Sequence, residues 1–323
     1  MFLSDGPSST EAGWSPLPVD LDFDQLAGGD MSGRELSRVM LAEGDLNGAN
    51  LDEAVLVSAN LARADLTDAR LNKALLTGAD VSGGRLVGAE MRRAVLIGAR
   101  LSDAEMGSVL ADEVDLASAN LKGANLREAW VPGANLTNAD MSGAMMQDAK
   151  FFDGILIGAI LTHADLTGAS LARSHLACAK LTGVRLADAD LTEAVLTYAD
   201  LTGASLRGAT LSGADLTSAT LVDGDLRNAT LTMARLTLAD LSGAILASAD
   251  LSRAVLTNTD LRSVALTDAN LSLALWSLQT QWPAELHAEI RDRSEEISPG
   301  LFRIRSVASR DRALAGPDLF PVS

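Results

Sequence analysis

The sequence predicts an all-β solenoid, in which the chain turns a corner within every group of five residues. Between Leu36 and Trp276 an apolar residue stands at each fifth position through 49 units, and it is bulky in all of them except at Ala111. The residue two positions before it is almost always alanine or another small residue. Steps of five form no apolar stripe on an α-helix, and on a flat strand they alternate between the two faces. A chain that bends inside each unit is therefore needed to bury both residues.

Residues 1–30 are predicted to form a flexible leader and an N-terminal cap. The first twenty are rich in Ser, Pro and Gly, a composition typical of flexible segments. From Leu21 to Met31 the five-residue spacing is present, but charged Asp24 and Arg34 occupy the small-residue position. Because charged side chains do not fit a narrow apolar core, we expect a cap or a frayed first coil here.

Residues 31–278 form the predicted body. The unit Ala-Asp/Asn-Leu-Ser/Thr-Gly is seen most clearly at 139–143, 199–203 and 239–243. This pattern resembles the repeats of the pentapeptide-repeat family, over about three quarters of the chain. The resemblance implies a right-handed quadrilateral β-helix with four units in each coil. At ~4.8 Å per coil, the body should be a rod roughly 58 Å long.

Residues 279–323 are predicted to form a C-terminal helical cap and a tail. The stretch 284–297 favours a helix, with Leu286, Ile290 and Ile297 on the side that would cover the open last coil. A cap is expected because an open coil offers unpaired strand edges. A homodimer formed through this C-terminal region is the alternative.

One side of the predicted coil is nearly uncharged. If four units make one coil, residues twenty apart lie above one another. The units from 54–58 to 274–278 then form a single face with only three charged side chains among sixty residues. We call it the uncharged face, and its outward apolar residues are Val55, Leu75, Val95, Ile155, Val195 and Val255. Apolar stripes of this length mark interaction surfaces, although outward valines are also good strand formers.

Another side, the acidic face, has the largest excess of carboxylates. Five arginines stand against its ten acidic residues, which are Asp45, Asp65, Asp68, Glu105, Glu128, Asp148, Asp165, Asp188, Asp225 and Asp268. The net charge of the chain is −17, so we expect no direct binding of nucleic acid. The alternative reading of this charge is that it only keeps an apolar rod soluble.

Two functional hypotheses follow from these faces. An acidic rod resembles a DNA duplex in shape and sign of charge, and some members of the family protect DNA gyrase by occupying its DNA site. The resemblance therefore implies a DNA-mimicking modulator of a type II topoisomerase that gives resistance to topoisomerase poisons. The alternative is a scaffold or regulatory module that binds a partner, or a second copy of itself, through the uncharged face.

Aromatic residues mark an irregularity near the middle of the body. Trp130 and Phe152 fall on one side, while Phe151 takes an inward position that usually holds leucine. Such a group can be a contact hot spot. We favour a packing role, in which the rings fill a local bulge of the coil.

Enzymatic chemistry is not indicated. Three histidines are too few for a metal site, and His175 with Cys178 on one face supplies at most half of one. No nucleophile elbow or phosphate-binding glycine loop occurs, and a rod without insertions offers no deep pocket. We therefore expect a protein without catalytic activity, cofactor or metal. The single cysteine, the lack of a signal peptide and the lack of a long apolar run predict a cytoplasmic, membrane-free protein.

Overall fold

The computed structural model describes residues 26–306, which form one continuous coil followed by a small closing sheet. Parallel bridges join residues that are twenty apart, such as Val55 with Leu75 and Leu75 with Val95. One such bridge occurs in every five-residue unit of the coil, so each coil has four sides. The predicted repeat β-helix is confirmed, and its right-handed winding stays a prediction. The leader before residue 26 and the tail after residue 306 lie outside the described residues.

The inward pair of each unit builds the core of the rod. In the unit 199–203, Ala199 and Leu201 are buried, whereas Asp200 and Thr202 are half-buried and Gly203 is exposed. The same division recurs along the body, so that leucines fill the axis and alanines pack beside them. Because the core is closely packed, only a small side chain fits beside each leucine, and the position two before the leucine is therefore most often alanine.

Each corner of the coil is a tight turn. The N–H of Ala204 donates to the carbonyl of Leu201 at 3.0 Å, and Gly203 between them has a φ of 64°. A positive φ at the third residue is that of a type II turn, where glycine is unstrained. Non-glycine residues also occupy this position, for example Leu238 with a φ of 61°. The left-handed backbone is therefore imposed by the coil and not by the residue alone.

A four-stranded sheet closes the C-terminal end. Its strands are β1 (Val255–Leu256), β2 (Leu275–Ser277), β3 (Ser294–Ser298) and β4 (Leu301–Ile304), in the order β1-β2-β4-β3, and helix α1 (His287–Asp292) precedes β3. β2 continues the parallel stacking on β1, whereas β4 pairs antiparallel with both β2 and β3. Trp276 packs against Phe302 with ring centroids 4.6 Å apart. The sheet thus covers the last coil with a hairpin.

The predicted helix over 284–297 is wrong in its second half. Helix α1 ends at Asp292, and the following residues form β3. Ile290 is buried and Leu286 packs against the core, as expected, but Ile297 is 43% exposed. The reason is that β4 satisfies the backbone groups at the edge of the last coil, which a helix cannot do. β3 then pairs with β4 as the second arm of that hairpin.

Candidate functional site

The residue before each central leucine lies in the middle of one side of the coil and points outward. We call this the mid-side position. Aspartate is common there, and Asp200 shows why, since its Oδ1 accepts the N–H of Thr202 at 3.0 Å and the Thr202 hydroxyl at 2.6 Å. The same two contacts link Asp65 with Thr67. A carboxylate that binds the backbone two residues on is the Asx-turn arrangement. The Asp or Asn of the repeat therefore has a local structural role.

These contacts keep the carboxylates ionised. The hydrogen bond from the Thr202 hydroxyl holds the pKa of Asp200 below its ordinary value, and Thr67 does the same for the pKa of Asp65. For Asp165, burial raises the pKa, but hydrogen bonds from Thr167 and the charge of Arg185 outweigh it and the net shift is downward. Since the hydrogen bonds favour the charged form, Asp65, Asp165 and Asp200 carry their charge at neutral pH.

The acidic face consists of two columns with different surroundings. Asp45, Asp65, Glu105, Asp165 and Asp225 occupy mid-side positions, whereas Asp68, Glu128, Asp148, Asp188 and Asp268 occupy corner positions with positive φ. The mid-side group is engaged locally: Glu105 accepts from Asn125 at 2.7 Å, and Asp225 accepts from Arg227 at 2.8 Å. The corner group is exposed. Much of the acidic charge therefore has an explanation within the coil.

On the uncharged face, most mid-side positions hold apolar residues instead of Asp or Asn. Its mid-side column contains Val55, Leu75, Val95, Ile155, Val195 and Val255 as predicted, together with Leu275, and parallel bridges stack its members coil upon coil. Leu75 is 39% and Ile155 is 40% exposed. Of the thirteen large apolar residues exposed between residues 26 and 306, seven lie on this face. The predicted column missed Tyr198, Leu238 and Leu278, which project from corner positions of the same units and could have been found by aligning the chain in steps of twenty.

Three charged residues interrupt the apolar column of the uncharged face. Asp115 accepts from the side-chain amide of Asn135 at 3.0 Å. Asp215 and Arg235 are neighbours one coil apart, with a carboxylate oxygen 3.8 Å from the guanidinium Nε. His175 lies between Ile155 and Val195 in the same column. The column is thus apolar at both ends. One polar segment lies on each side of the central His175, separated from it by Ile155 or Val195.

The mid-body aromatic residues pack on one another. The rings of Trp130 and Phe152 meet edge to face with centroids 5.5 Å apart, and the indole N–H of Trp130 donates to Asp112 at 2.9 Å. Phe151 is buried in the axis, where Gly154 replaces the usual alanine. These contacts fit a packing role for the group.

The described residues contain neither a metal-binding cluster nor a membrane-spanning helix. Within 26–306, no group of three or more His, Cys, Asp or Glu side chains is placed to hold a metal ion. His175 and Cys178 share the uncharged face, and the Cys178 thiol is free and exposed. No helix in this part of the chain has the length and apolar character needed to cross a bilayer.

Comparison with known proteins identifies the repeat. The family model for pentapeptide repeats matches the chain in eight copies, over residues 35–72, 74–109, 119–158, 155–187, 174–213, 194–232 and 234–272. No curated protein gives a match.

Solved structures of repeat proteins are also similar. HetL of Nostoc sp. strain PCC 7120, a pentapeptide-repeat protein involved in regulating heterocyst differentiation, is 31% identical, with a TM-score of 0.32 over 62% of this chain and 88% of HetL. QnrB1, a plasmid-mediated fluoroquinolone resistance protein, is 19% identical, with a TM-score of 0.26 over 51% of this chain and 88% of QnrB1. A pentapeptide-repeat protein of the Arabidopsis thaliana thylakoid lumen is 28% identical, with a TM-score of 0.23 over 37% of this chain and 66% of its own.

Proposed function

Because this chain belongs to the family of pentapeptide-repeat proteins, we propose that it is a non-catalytic rod that binds protein through its uncharged face. One observation carries the proposal. Val, Leu or Ile occupies seven of the twelve mid-side positions on this face, against three of the thirty-six on the other three sides. Those three are Leu110, Ile160 and Ile245. On this side of the coil, apolar residues thus replace most of the Asp or Asn residues that would bind the turn.

The replacement gives up a local hydrogen bond and exposes apolar surface, and binding would offset both changes. Each apolar residue forgoes the hydrogen bond that Asp200 accepts from Thr202, and a bond to a charged acceptor is worth about 1.5–3 kcal/mol. It also leaves apolar surface in water, as the exposure of Leu75 and Ile155 illustrates. Departures from the local rule are expected where function requires them, and contiguous apolar surface is typical of an interface.

Three substitutions test the uncharged face. Val95→Asp, Ile155→Asp and Val195→Asp should abolish association, measured by light scattering of the purified protein and by affinity capture of binding proteins from native lysate. Ile160→Asp and Ile245→Asp are the matched controls, because they change the same repeat position on other sides. Circular dichroism should show an intact β-helix in all five variants. If every variant associates like the parent, the face has only a structural role.

A second candidate is a DNA-mimicking modulator of a type II topoisomerase, with DNA gyrase as the partner in the cytoplasm. The observation that favours it is the charge of an uninterrupted coil, since residues 39–278 carry 29 acidic and 18 basic side chains. Eleven net charges along a rod of roughly 58 Å give one per ~5 Å, against one per ~1.7 Å for duplex DNA. Attraction to a DNA-binding groove would therefore come from the overall field and would be weaker than that of DNA.

A supercoiling assay tests this second candidate. The protein should inhibit DNA gyrase, or protect it from a topoisomerase poison, at micromolar concentration. Asp68→Lys, Asp148→Lys and Asp188→Lys in one chain should weaken the effect, since these exposed corner residues supply the field. Added salt should weaken it as well. Gyrase activity that is unchanged with and without drug, at a large excess of protein, would exclude the proposal.

A further inference from the structure

We propose that the occupant of the uncharged face is a second copy of this chain, packed antiparallel about a two-fold axis through His175. The inference rests on the proposed function, because it names the partner of the same face. It comes from the order of residues in the mid-side column, which reads almost the same from both ends. The axis would lie in the plane of the contact, perpendicular to both rods, at the level of His175.

The mid-side column is self-complementary about His175. An antiparallel copy places each residue opposite the one that lies the same number of coils beyond His175. The resulting pairs are Ile155 with Val195, Asn135 with Asp215, Asp115 with Arg235, Val95 with Val255, and Leu75 with Leu275. Six of the seven apolar residues meet an apolar residue, and Val55 lies one coil beyond the paired stretch. The acid meets the base, the amide meets a carboxylate, and His175 meets its own copy. Each pair occurs twice, because a two-fold interface presents the same patch on both copies.

A parallel arrangement of the two rods lacks this complementarity. In that orientation each residue of the column would face its own copy. Asp115 would then meet Asp115, and Arg235 would meet Arg235. Like charges placed directly opposite each other across an interface are strongly unfavourable. The distribution of charge therefore selects the antiparallel orientation.

The register is equally restricted. Sliding one rod by a single coil in one direction puts Asp115 opposite Asp215 and Arg235 opposite Val95. Sliding it in the other direction puts Asp115 opposite Val255. A charge buried against an apolar side chain without a partner is costly. Only the axis through His175 pairs all three charged residues of the face with polar partners.

The size of the contact predicts a dimer of moderate strength. Ten coils separate Leu75 from Leu275, which corresponds to ~48 Å at ~4.8 Å per coil. A side roughly 10–15 Å wide then gives about 500–700 Å² of contact per copy, a little below the ~800 Å² of a standard stable interface. The exposed corner residues Tyr198 and Leu238 border the strip and extend it. We therefore expect a dissociation constant in the micromolar range.

Charge reversal tests both partner and register. Asp115→Arg, Arg235→Asp and the double variant are compared with the parent by sedimentation equilibrium, from about 1 to about 100 µM, which brackets a micromolar constant. The parent should form a dimer of the 33.6 kDa chain. Each single variant should raise the dissociation constant at least about 10-fold, since it creates two like-charge contacts per dimer. The double variant should return to within about 3-fold of the parent.

A matched control separates the interface from the fold. Asp140 has the same repeat position on another side and accepts the N–H of Ser142 at 2.9 Å, much as Asp115 accepts the N–H of Ala117 at 3.1 Å. Asp140→Arg therefore removes the same local hydrogen bond and reverses the same charge. It should leave the dissociation constant unchanged if the dimer forms through the uncharged face.

The outcomes also separate this inference from the proposed function. A parent that stays monomeric at every concentration, or a dimer that the double variant fails to restore, overturns the second-copy arrangement. If Ile155→Asp then still abolishes capture of another protein, the uncharged face binds a different partner and only this inference fails. If Ile155→Asp changes neither dimerisation nor capture, both fail.

Discussion

Replacing Leu75 by aspartate separates the structural role of the uncharged face from its role in binding. The unit 74–78 reads Ala-Leu-Leu-Thr-Gly, and the change converts it to Ala-Asp-Leu-Thr-Gly, the sequence of the unit 199–203. In that second unit the aspartate binds the N–H and the hydroxyl of Thr202. Leu75→Asp should gain the same two contacts with Thr77.

The expected stability change is small because two terms nearly cancel. Full burial of a leucine is worth about 1.5–3 kcal/mol, and Leu75 is already 39% exposed, so roughly 1–2 kcal/mol is lost. Hydrogen bonds to a charged acceptor return about 1.5–3 kcal/mol. The free energy of unfolding should therefore stay within about 1 kcal/mol of the parent. Leu76→Ala, one residue away in the buried axis, should lower it by about 2–5 kcal/mol.

Two measurements test the predicted stability and association of the Leu75→Asp variant. Denaturant unfolding should show a midpoint close to that of the parent, with Leu76→Ala as the destabilised reference. Sedimentation should show that association is lost, because an unpaired carboxylate would face an apolar residue of the partner. An unfolding free energy more than about 3 kcal/mol below the parent would show that the apolar column holds the coil together, and the reasoning from turn hydrogen bonds would be refuted.

Three further predictions concern the coil itself. The lowered pKa of carboxylates such as Asp200 adds stability that is complete above the unfolded value of about 3.9 and is lost as the pH falls through the lowered one, so the melting temperature should drop only below about pH 4. Gly154→Ala places a Cβ 2.8 Å from the Phe151 carbonyl oxygen and 3.3 Å from a methyl carbon of Leu156, and it should lower the free energy of denaturant unfolding by about 1–3 kcal/mol. Trp276→Ala should cost about 3–5 kcal/mol in denaturant unfolding and expose the last coil, so that light scattering detects aggregation.

The sequence predicts the coil far better than its closing end, for a physical reason. Every unit must bury the same two side chains, so one local pattern, repeated from Leu36 to Trp276, determines which residues point inward. The closing sheet depends on β4 meeting the edge of β2, a pairing between distant segments that no local spacing encodes. Apolar residues at helical spacing in 284–297 therefore indicated a helix where half of the stretch is a strand.

The two surfaces of the candidate site also differ in how far they can be predicted. An aspartate two residues before Ser or Thr could have been recognised as a turn contact from the sequence, which would have reduced the weight placed on the acidic face. The uncharged face could be found from the sequence because its residues recur in steps of twenty. Its symmetry about His175 becomes meaningful only once the bridges show that Ile155, His175 and Val195 stack directly upon one another.

Leu238 is an exposed apolar residue at a corner of the uncharged face. Its φ of 61° is unfavourable for a residue with a Cβ by roughly 1–2 kcal/mol, and its side chain is 57% exposed, so packing offsets little of that strain. Leu238→Gly should raise the unfolding free energy by up to about 1 kcal/mol, after the entropy that glycine loses on folding is subtracted. Ser248→Gly, at a corner remote from this face with a φ of 59°, should give a similar gain in denaturant unfolding.

Association distinguishes the two glycine variants. Leu238→Gly should weaken self-association in sedimentation, because it removes an apolar side chain from the border of the contact, whereas Ser248→Gly should leave it unchanged. A strained leucine that is kept at an exposed corner is then explained by the surface it offers to a partner. If Leu238→Gly gains stability and associates as tightly as the parent, the contact is confined to the mid-side column and the corners lie outside it.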